Sequence, residues 1–427
     1  MSLPRRGIAV LAASALLLAG CGGGDPESAP GASAGGKVTV EWWHIGTAEP
    51  LKSVYAGWAK EFQARHPGVT VKVTVLENEA FKSKMATQTA SGKAPHLFAT
   101  WGGGVLKQQA DAGLAKDLSS EAGPILGGFT PAALSAYQFD GKTYAIPTDI
   151  GMVGFWYNKK LFAKAGITEP PATWTAFLDA VRKLKAAGVT PIALAGKEKW
   201  PGHYYWAYLA MRIGGLGALQ QAAGTKDFSG PDFVEAGRRL KELADLKPFQ
   251  TGFLNAAYSA PGGQAATVGS GKAAMELMGQ WAPAVQKDAG GGLGEDLGFF
   301  PFPAVEGGKG AVTDAFGGGG GFAVGADAPA EAVEFLKFVS DPARHRAAVG
   351  AGAVMPVLKG AQDAVKDPNL KVVADTLAGA TGFQLYLDQA YPPAVGQEVN
   401  DSVAELIAGG KSPEEVARAI TETAKSE

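Results

Sequence analysis

With a single cysteine in 427 residues, no disulfide can form within this chain and no cluster of thiolates can hold a metal. The five histidines, His44, His66, His96, His203 and His345, contain no His-x-x-x-His pair, so a zinc hydrolase has no support and neither metal nor cofactor is expected. Neither charge sign prevails. Lys and Arg number 39 against 41 Asp and Glu, and a net charge of −2 gives no electrostatic case for nucleic acid or anionic lipid. Past the first twenty residues no long uninterrupted apolar run occurs of the kind a transmembrane helix needs. Nucleotide loops fail as well. Around Gly271-Lys272 the positions that require glycine and Ser or Thr hold Ala266 and Ala273, and Gly317 to Gly321 runs into the strand-like Phe322-Ala323-Val324. Past residue 36 no Gly-x-Ser-x-Gly nucleophile elbow is found.

What is present begins with Arg5-Arg6, an apolar run from Ile8 to Ala19 and the ending Leu18-Ala19-Gly20-Cys21. This is the three-part build of an export signal, and its end resembles the lipobox of bacterial lipoproteins. The resemblance implies removal of residues 1–20 and a lipid on Cys21. Sec and twin-arginine export both stay open. Residues 21–36 are then the lipidated Cys and a flexible tether, almost all Gly, Ala, Ser and Pro, with a root-mean-square reach of roughly 20 to 25 Å. The membrane is touched only through that lipid.

About 390 residues follow, more than one hydrophobic core usually holds, so two domains are expected. Val38, Val40 and Trp42 alternate with Thr39, Glu41 and Trp43 as in a strand. Leu51, Val54, Tyr55, Trp58 and Phe62 have helical spacing, and Val69, Val71, Val73 and Val75 alternate again. Strand, helix and strand at this length form a crossover between parallel strands, which His96 to Thr100 extends. The loops Trp43 to Glu49, Glu77 to Glu79 and Trp101 to Gly104 then share one edge of the sheet. A second body reads from Val153 to Tyr157, a helix capped by Thr173, a strand from Ile192 to Ala195 with its exit loop Lys199 to Tyr205, and a strand from Ala273 to Met278.

Tryptophans sit beside glycine or proline just after these strands, in Trp101-Gly102, Trp200-Pro201-Gly202 and Gly279-Gln280-Trp281. Rings at the carboxyl ends of strands can line a ligand crevice, and a flat apolar ring among polar neighbours suits a sugar. Trp58, Trp174 and Trp206 lie on helical apolar faces and belong in the core, while Trp42 and Trp43 point to opposite faces of one strand.

The lipobox, Gly271-Lys272-Ala273-Ala274-Met275 followed by Gly279 and Trp281, Pro170-Pro171-Ala172-Thr173-Trp174 with Phe177, and Tyr157-Asn158-Lys159 together resemble the solute-binding proteins of ATP-driven sugar importers, the maltose-binding-protein-like class. The resemblance spans the mature chain. It implies a two-lobe α/β fold of the periplasmic-binding-protein-like type II, each lobe a mixed sheet flanked by helices, with ligand in the hinge cleft. It places the amino-terminal lobe at 37–146 plus 313–353 and the carboxyl-terminal lobe at 147–312 plus 354–427. The chain is read as a monomer that hands its ligand to the membrane subunits of an ABC permease.

For that ligand, a neutral oligosaccharide, the candidate contacts in the first lobe are His44, Thr47, Glu49, Glu77, Asn78, Trp101 and Gly102. Asp149 and Met152 stand at the hinge; Trp200, His203, Tyr204, Gln280 and Trp281 lie on the other edge; Phe316, Gly317, Gly318, Gln384 and Tyr386 come from later segments. Carboxylates accept paired hydrogen bonds from vicinal hydroxyls, the usual use of acids in a sugar site. The stretch Phe383 to Pro393, with Gln397-Glu398-Val399-Asn400, resembles an actinobacterial subgroup that takes xylo-oligosaccharides, and xylobiose-like ligands are the leading expectation. Raffinose-type, cello- or malto-oligosaccharides are the alternatives. A secreted glycosidase needs two acids at a defined separation, which spacing in sequence does not establish.

Overall fold

A computed structural model describes residues 37–427; the expected signal, Cys21 and tether lie outside the described residues. The first strand, Val38–His44, is an inner strand of its sheet and buries alternate side chains, Val40, Trp42 and His44, on one face. It pairs in parallel with Val69–Val75 on one side and Leu97–Thr100 on the other. Between the first two, the helix Leu51–Arg65 lays Tyr55, Trp58, Ala59 and Phe62 on the sheet. The sheet is completed by Gly321–Val324, antiparallel to Leu97–Thr100, and then by Ala145–Pro147, antiparallel in turn to Gly321–Val324. It is therefore mixed, with its parallel half carrying the three loops expected to share an edge.

A second, four-stranded sheet runs in the order Leu297–Phe300, Gly154–Asn158, Ala273–Met278, Thr190–Ile192. Only the last pairing is parallel. The helix Trp174–Ala186 packs on it through Trp174, Phe177, Leu178, Val181 and Leu184, and the Thr173 hydroxyl accepts the Ala176 N–H as its N-cap. Between the two large sheets the chain forms a small one from Phe383–Leu385, Ala315–Gly318 and Gly151–Met152.

Each large sheet has its own core. Val40, Trp42, Phe62, Leu97, Phe322 and Phe335 belong to one, and Phe155, Trp156, Phe177, Tyr205, Trp206 and Phe302 to the other, with no buried side chain in both. Two packed lobes follow, joined by the small sheet, and Phe383 of that sheet packs against both cores. Three stretches pack on the opposite side of the expected division. Ala315 and Phe316 belong to the second core, and Ile150 and the group Val354, Val357, Leu358 and Ala361 to the first. Strand pairing decides the former, since Ala315–Gly318 is held by Gly151–Met152 and Phe383–Leu385.

The exit loop expected at Lys199 to Tyr205 is a helix, Trp200–Gly214, buried nearly throughout. A helix that is apolar on every side shows no amphipathic period to read, and Pro201 fits its first turn, where a missing N–H costs nothing. Trp58, Trp174 and Trp206 are core residues.

Candidate functional site

A cleft of about 1210 Å³ opens between the lobes, lined by loops from both. On the first lobe it is reached by all three sheet-edge loops, at His44 to Leu51, at Glu77 to Glu79 and at Trp101. The His44 ring is buried against Trp42 and Tyr55, with centroids 4.5 and 4.9 Å away. Burial holds its imidazole down at about 4, so it is neutral at physiological pH. Its Nδ1 accepts the Gly46 N–H at 3.2 Å, which leaves the proton on Nε2, an atom with no protein partner. Trp101 is half-buried, held edge-on by Phe81 at 5.7 Å with the Lys82 ammonium 5.7 Å from its ring centre. Thr47, Glu49 and Asn78 also line the cleft; Glu49 accepts the Ser53 N–H and Asn78 donates to Glu79.

The second lobe contributes an aromatic wall. Trp200 and Tyr204 project from the first turns of the Trp200–Gly214 helix, and Tyr204 stacks on Tyr386 at 5.4 Å and 23°. Trp281 meets Tyr386 edge-on at 6.2 Å. The Trp281 ring lies over Gly279, where an added Cβ would stand only 2.2 Å from a ring carbon, so a side chain there would displace it. Indole and phenol rings so arranged offer apolar faces, while the Trp200 Nε1 and the Tyr386 hydroxyl have no protein partner.

Acids are set into this cleft from several sides. At the hinge, Asp149 accepts the Met355 N–H and the Gln280 amide, both at 2.6 Å, and burial outweighs these bonds to push it up to about 6. Gln280 keeps a buried Oε1 with no partner. Burial also pushes Glu198 up to about 7, opposed by the Tyr258 N–H at 2.9 Å and reinforced by the charges of Glu79 and Glu77. Across the lobes, Lys82 donates to Asp388 at 3.2 Å and Ser259 to Glu77 at 3.1 Å. Burial alone would raise Asp388, but chiefly Lys82 holds it below the usual carboxylate range.

The other predicted residues do not line the cleft. His203, Met152 and Phe316 are buried behind its wall, among Tyr204, Tyr208 and Tyr386 in the case of Phe316. Gly317 and Gly318 lie in a strand pressed against Gly151 and the Tyr386 ring, and Gly102 is closed off by the Ala136 carbonyl. Gln384 turns its amide to the Leu385 carbonyl. Trp42 is core, and Trp43 sits outside the cleft under Lys84. Conversely, Tyr55, Glu198 and Tyr258 line the cleft and were not anticipated. Tyr55 reads as core from its helical spacing, and Glu198 stands between two lysines like a solvated loop acid. The only sequence signal near Glu198 is its position two residues ahead of Trp200-Pro201.

Residues 46–344 match the family model described as bacterial extracellular solute-binding protein. The diacetylchitobiose binding protein DasA of Streptomyces coelicolor is 26% identical over 94% of this chain and 93% of its own. An uncharacterized ABC transporter extracellular-binding protein of Pyrococcus horikoshii is 27% identical, the match spanning 68% of this chain and 66% of that one. For the putative binding protein of Brucella abortus, 33% identical, the chain spans only 45% of its length. A solved structure concerned with xylan utilization by Caldanaerobius polysaccharolyticus superposes with a TM-score of 0.84 at 28% identity, over 90% of this chain and 99% of that one. A chitin oligosaccharide binding protein gives 0.84 and 28% over 91% and 98%. The two-lobe fold is shared along nearly the whole described chain, and the chain belongs to the bacterial extracellular solute-binding proteins.

Proposed function

We propose that this member of the bacterial extracellular solute-binding proteins captures a neutral oligosaccharide by closing its lobes and delivers it to an ABC permease. The observation that carries the reading is the wall of the cleft: Trp101 from one lobe faces Trp200, Tyr204, Trp281 and Tyr386 from the other, with carboxylates and unpartnered polar atoms between the rings. A ring that covers about 100 Å² of sugar C–H surface contributes roughly 2 to 3 kcal/mol before ordering costs, so the two half-buried indoles, Trp101 and Trp281, with a few hydrogen bonds reach micromolar capture, while the more deeply buried Trp200, Tyr204 and Tyr386 back the wall. A ligand that touches both lobes binds the closed form better, and that difference in affinity is what drives closure. Binding requires no bond to be broken, and we read the protein as a non-enzyme.

Short xylo-oligosaccharides are the leading ligands, supported by the relative concerned with xylan utilization. The chitin-oligosaccharide and diacetylchitobiose relatives keep amino-sugar oligomers in the panel. In the same reading, export, a lipid on Cys21 and a monomeric state place the cleft at the outer face of the cytoplasmic membrane. The test is calorimetry with xylotriose, cellotriose, maltotriose, raffinose and N,N′-diacetylchitobiose, with small-angle scattering with and without the best binder. A binder that contracts the scattering profile is expected. No binding by any of these sugars, beside binding of peptides or ions, would overturn the assignment.

A further inference from the structure

The proposal concerns one end of the cleft and rests on the sugar-binding reading above. Tyr258 and Ser259 are consecutive residues of the second lobe, yet each holds a different carboxylate. The Tyr258 N–H donates to Glu198 at 2.9 Å, and the Ser259 hydroxyl donates across the cleft to Glu77 at 3.1 Å. Two acids from opposite lobes are thereby brought to neighbouring grips, and Glu79 lies beside them. Little positive charge offsets the group. Lys82 reaches Glu79 at 3.7 Å but is shared with Asp388 at 3.2 Å, and Lys197 is exposed and does not line the cleft.

A second feature marks the same place as a ligand contact. Trp200, only 7% exposed, lines the cleft edge-on to Tyr258 at 5.5 Å, and its buried Nε1 has no partner among the described residues. An unpaired buried donor costs free energy unless something accepts its proton. Between Glu198 and Trp200 the backbone of Lys199 takes a φ of 65°, a left-handed conformation that few non-glycine residues adopt, and both neighbours reach the cleft from it.

We infer that Glu77, Glu79 and Glu198 act as a charge filter, which admits sugar residues bearing only hydroxyls or neutral substituents and rejects those bearing a carboxylate. Hydroxyls donate to carboxylates, and a sugar oxygen can accept from the Trp200 Nε1; a uronate would add negative charge to a partly desolvated site that already holds carboxylates. Rejection by like charge is a form of specificity that added attraction to the right ligand does not supply.

The experiment compares the best neutral binder of the panel with two derivatives of the same length, one with a uronate at the non-reducing end and one oxidised to an aldonate at the reducing end. Wild type should bind at least one derivative about tenfold or more weaker than the neutral sugar, with the gap narrowing in 0.5 M NaCl as screening shortens the reach of the acids. E198Q and E77Q should narrow it as well, the gap being read as the ratio of neutral to charged affinity within each variant, so that any loss common to both ligands cancels. Equal binding of all three ligands overturns the filter and leaves the sugar reading intact. A gap that neither salt nor the two variants narrow overturns the assignment to these residues. Failure of every neutral sugar to bind removes the reading and the filter together.

Discussion

Glu276 lies in an inner strand of the second sheet with no solvent exposure, accepting the Gln264 amide at 2.8 Å and the Gln286 amide at 2.6 Å. Among the described residues no cation pairs with it, and burial pushes its carboxyl from 4.5 up to about 7. The perturbation is E276Q. Its new oxygen can accept the Gln264 amide, and its new amide can donate to Gln286 once that side chain turns its Oε1, now unpartnered, toward it. The hydrogen bonds are conserved and only the charge is removed. Because the folded-state pKa is raised, the wild-type group is most favourable below 4.5, and its contribution is lost as pH rises through about 7. Integrated over that window, the charged form costs about 3 kcal/mol at pH 8 and about 1 kcal/mol at pH 5. Urea unfolding should therefore find E276Q more stable than wild type by about 3 kcal/mol at pH 8, with the difference shrinking to about 1 kcal/mol at pH 5. E276A, which leaves two buried amides unpaired, should instead be less stable than wild type by about 2 to 4 kcal/mol at pH 5. A difference between E276Q and wild type that does not change with pH, or an E276Q that is the less stable protein at pH 8, would refute this account of the buried charge.

Further substitutions at three places probe the cleft and the hinge. W281A should weaken binding of the preferred sugar by about 30-fold to 100-fold, and G279A, which pushes the ring aside without deleting it, by about tenfold or more; calorimetric affinities equal to wild type for both would remove Trp281 from the site. K82M strands the buried carboxylate of Asp388 and should lower stability by about 2 kcal/mol at pH 7, with D388N added to K82M restoring part of it; urea midpoints that do not move in K82M would show that the pair holds nothing. Arg212, 1% exposed, donates to the carbonyls of Ala311, Val312 and Asp314 at 2.9 to 3.0 Å and so fixes the segment that leads into the small sheet. R212M should cost about 2 kcal/mol, since the buried Asp314 carbonyl and the part-buried carbonyls of Ala311 and Val312 lose their donor, and unchanged hydrogen exchange at residues 311–314 would contradict that role.

The local elements of the first lobe were legible from periodicity alone. Val38 to Trp43 alternates because one face of that strand is buried, and Leu51 to Phe62 keeps helical spacing because one stripe packs on the sheet. Parallel pairing then put three loops on one edge, and the sequence alone thus determined that His44, Glu77 and Trp101 would stand near one another. It also carried the resemblance that named the two-lobe fold. The tertiary structure decided everything that depends on partners distant along the chain. Trp200 to Tyr205 became a helix because apolar neighbours enclose it on all sides, which erases the pattern by which a helix is recognised. Phe316, Gly317 and Gly318 were withdrawn from the cleft by strands that begin at residues 151 and 383. Glu198 and Glu77, 121 positions apart, acquired their common role only because consecutive residues of another loop grip both. Side-chain periodicity records which face of an element is buried; it holds no information about which distant element buries it.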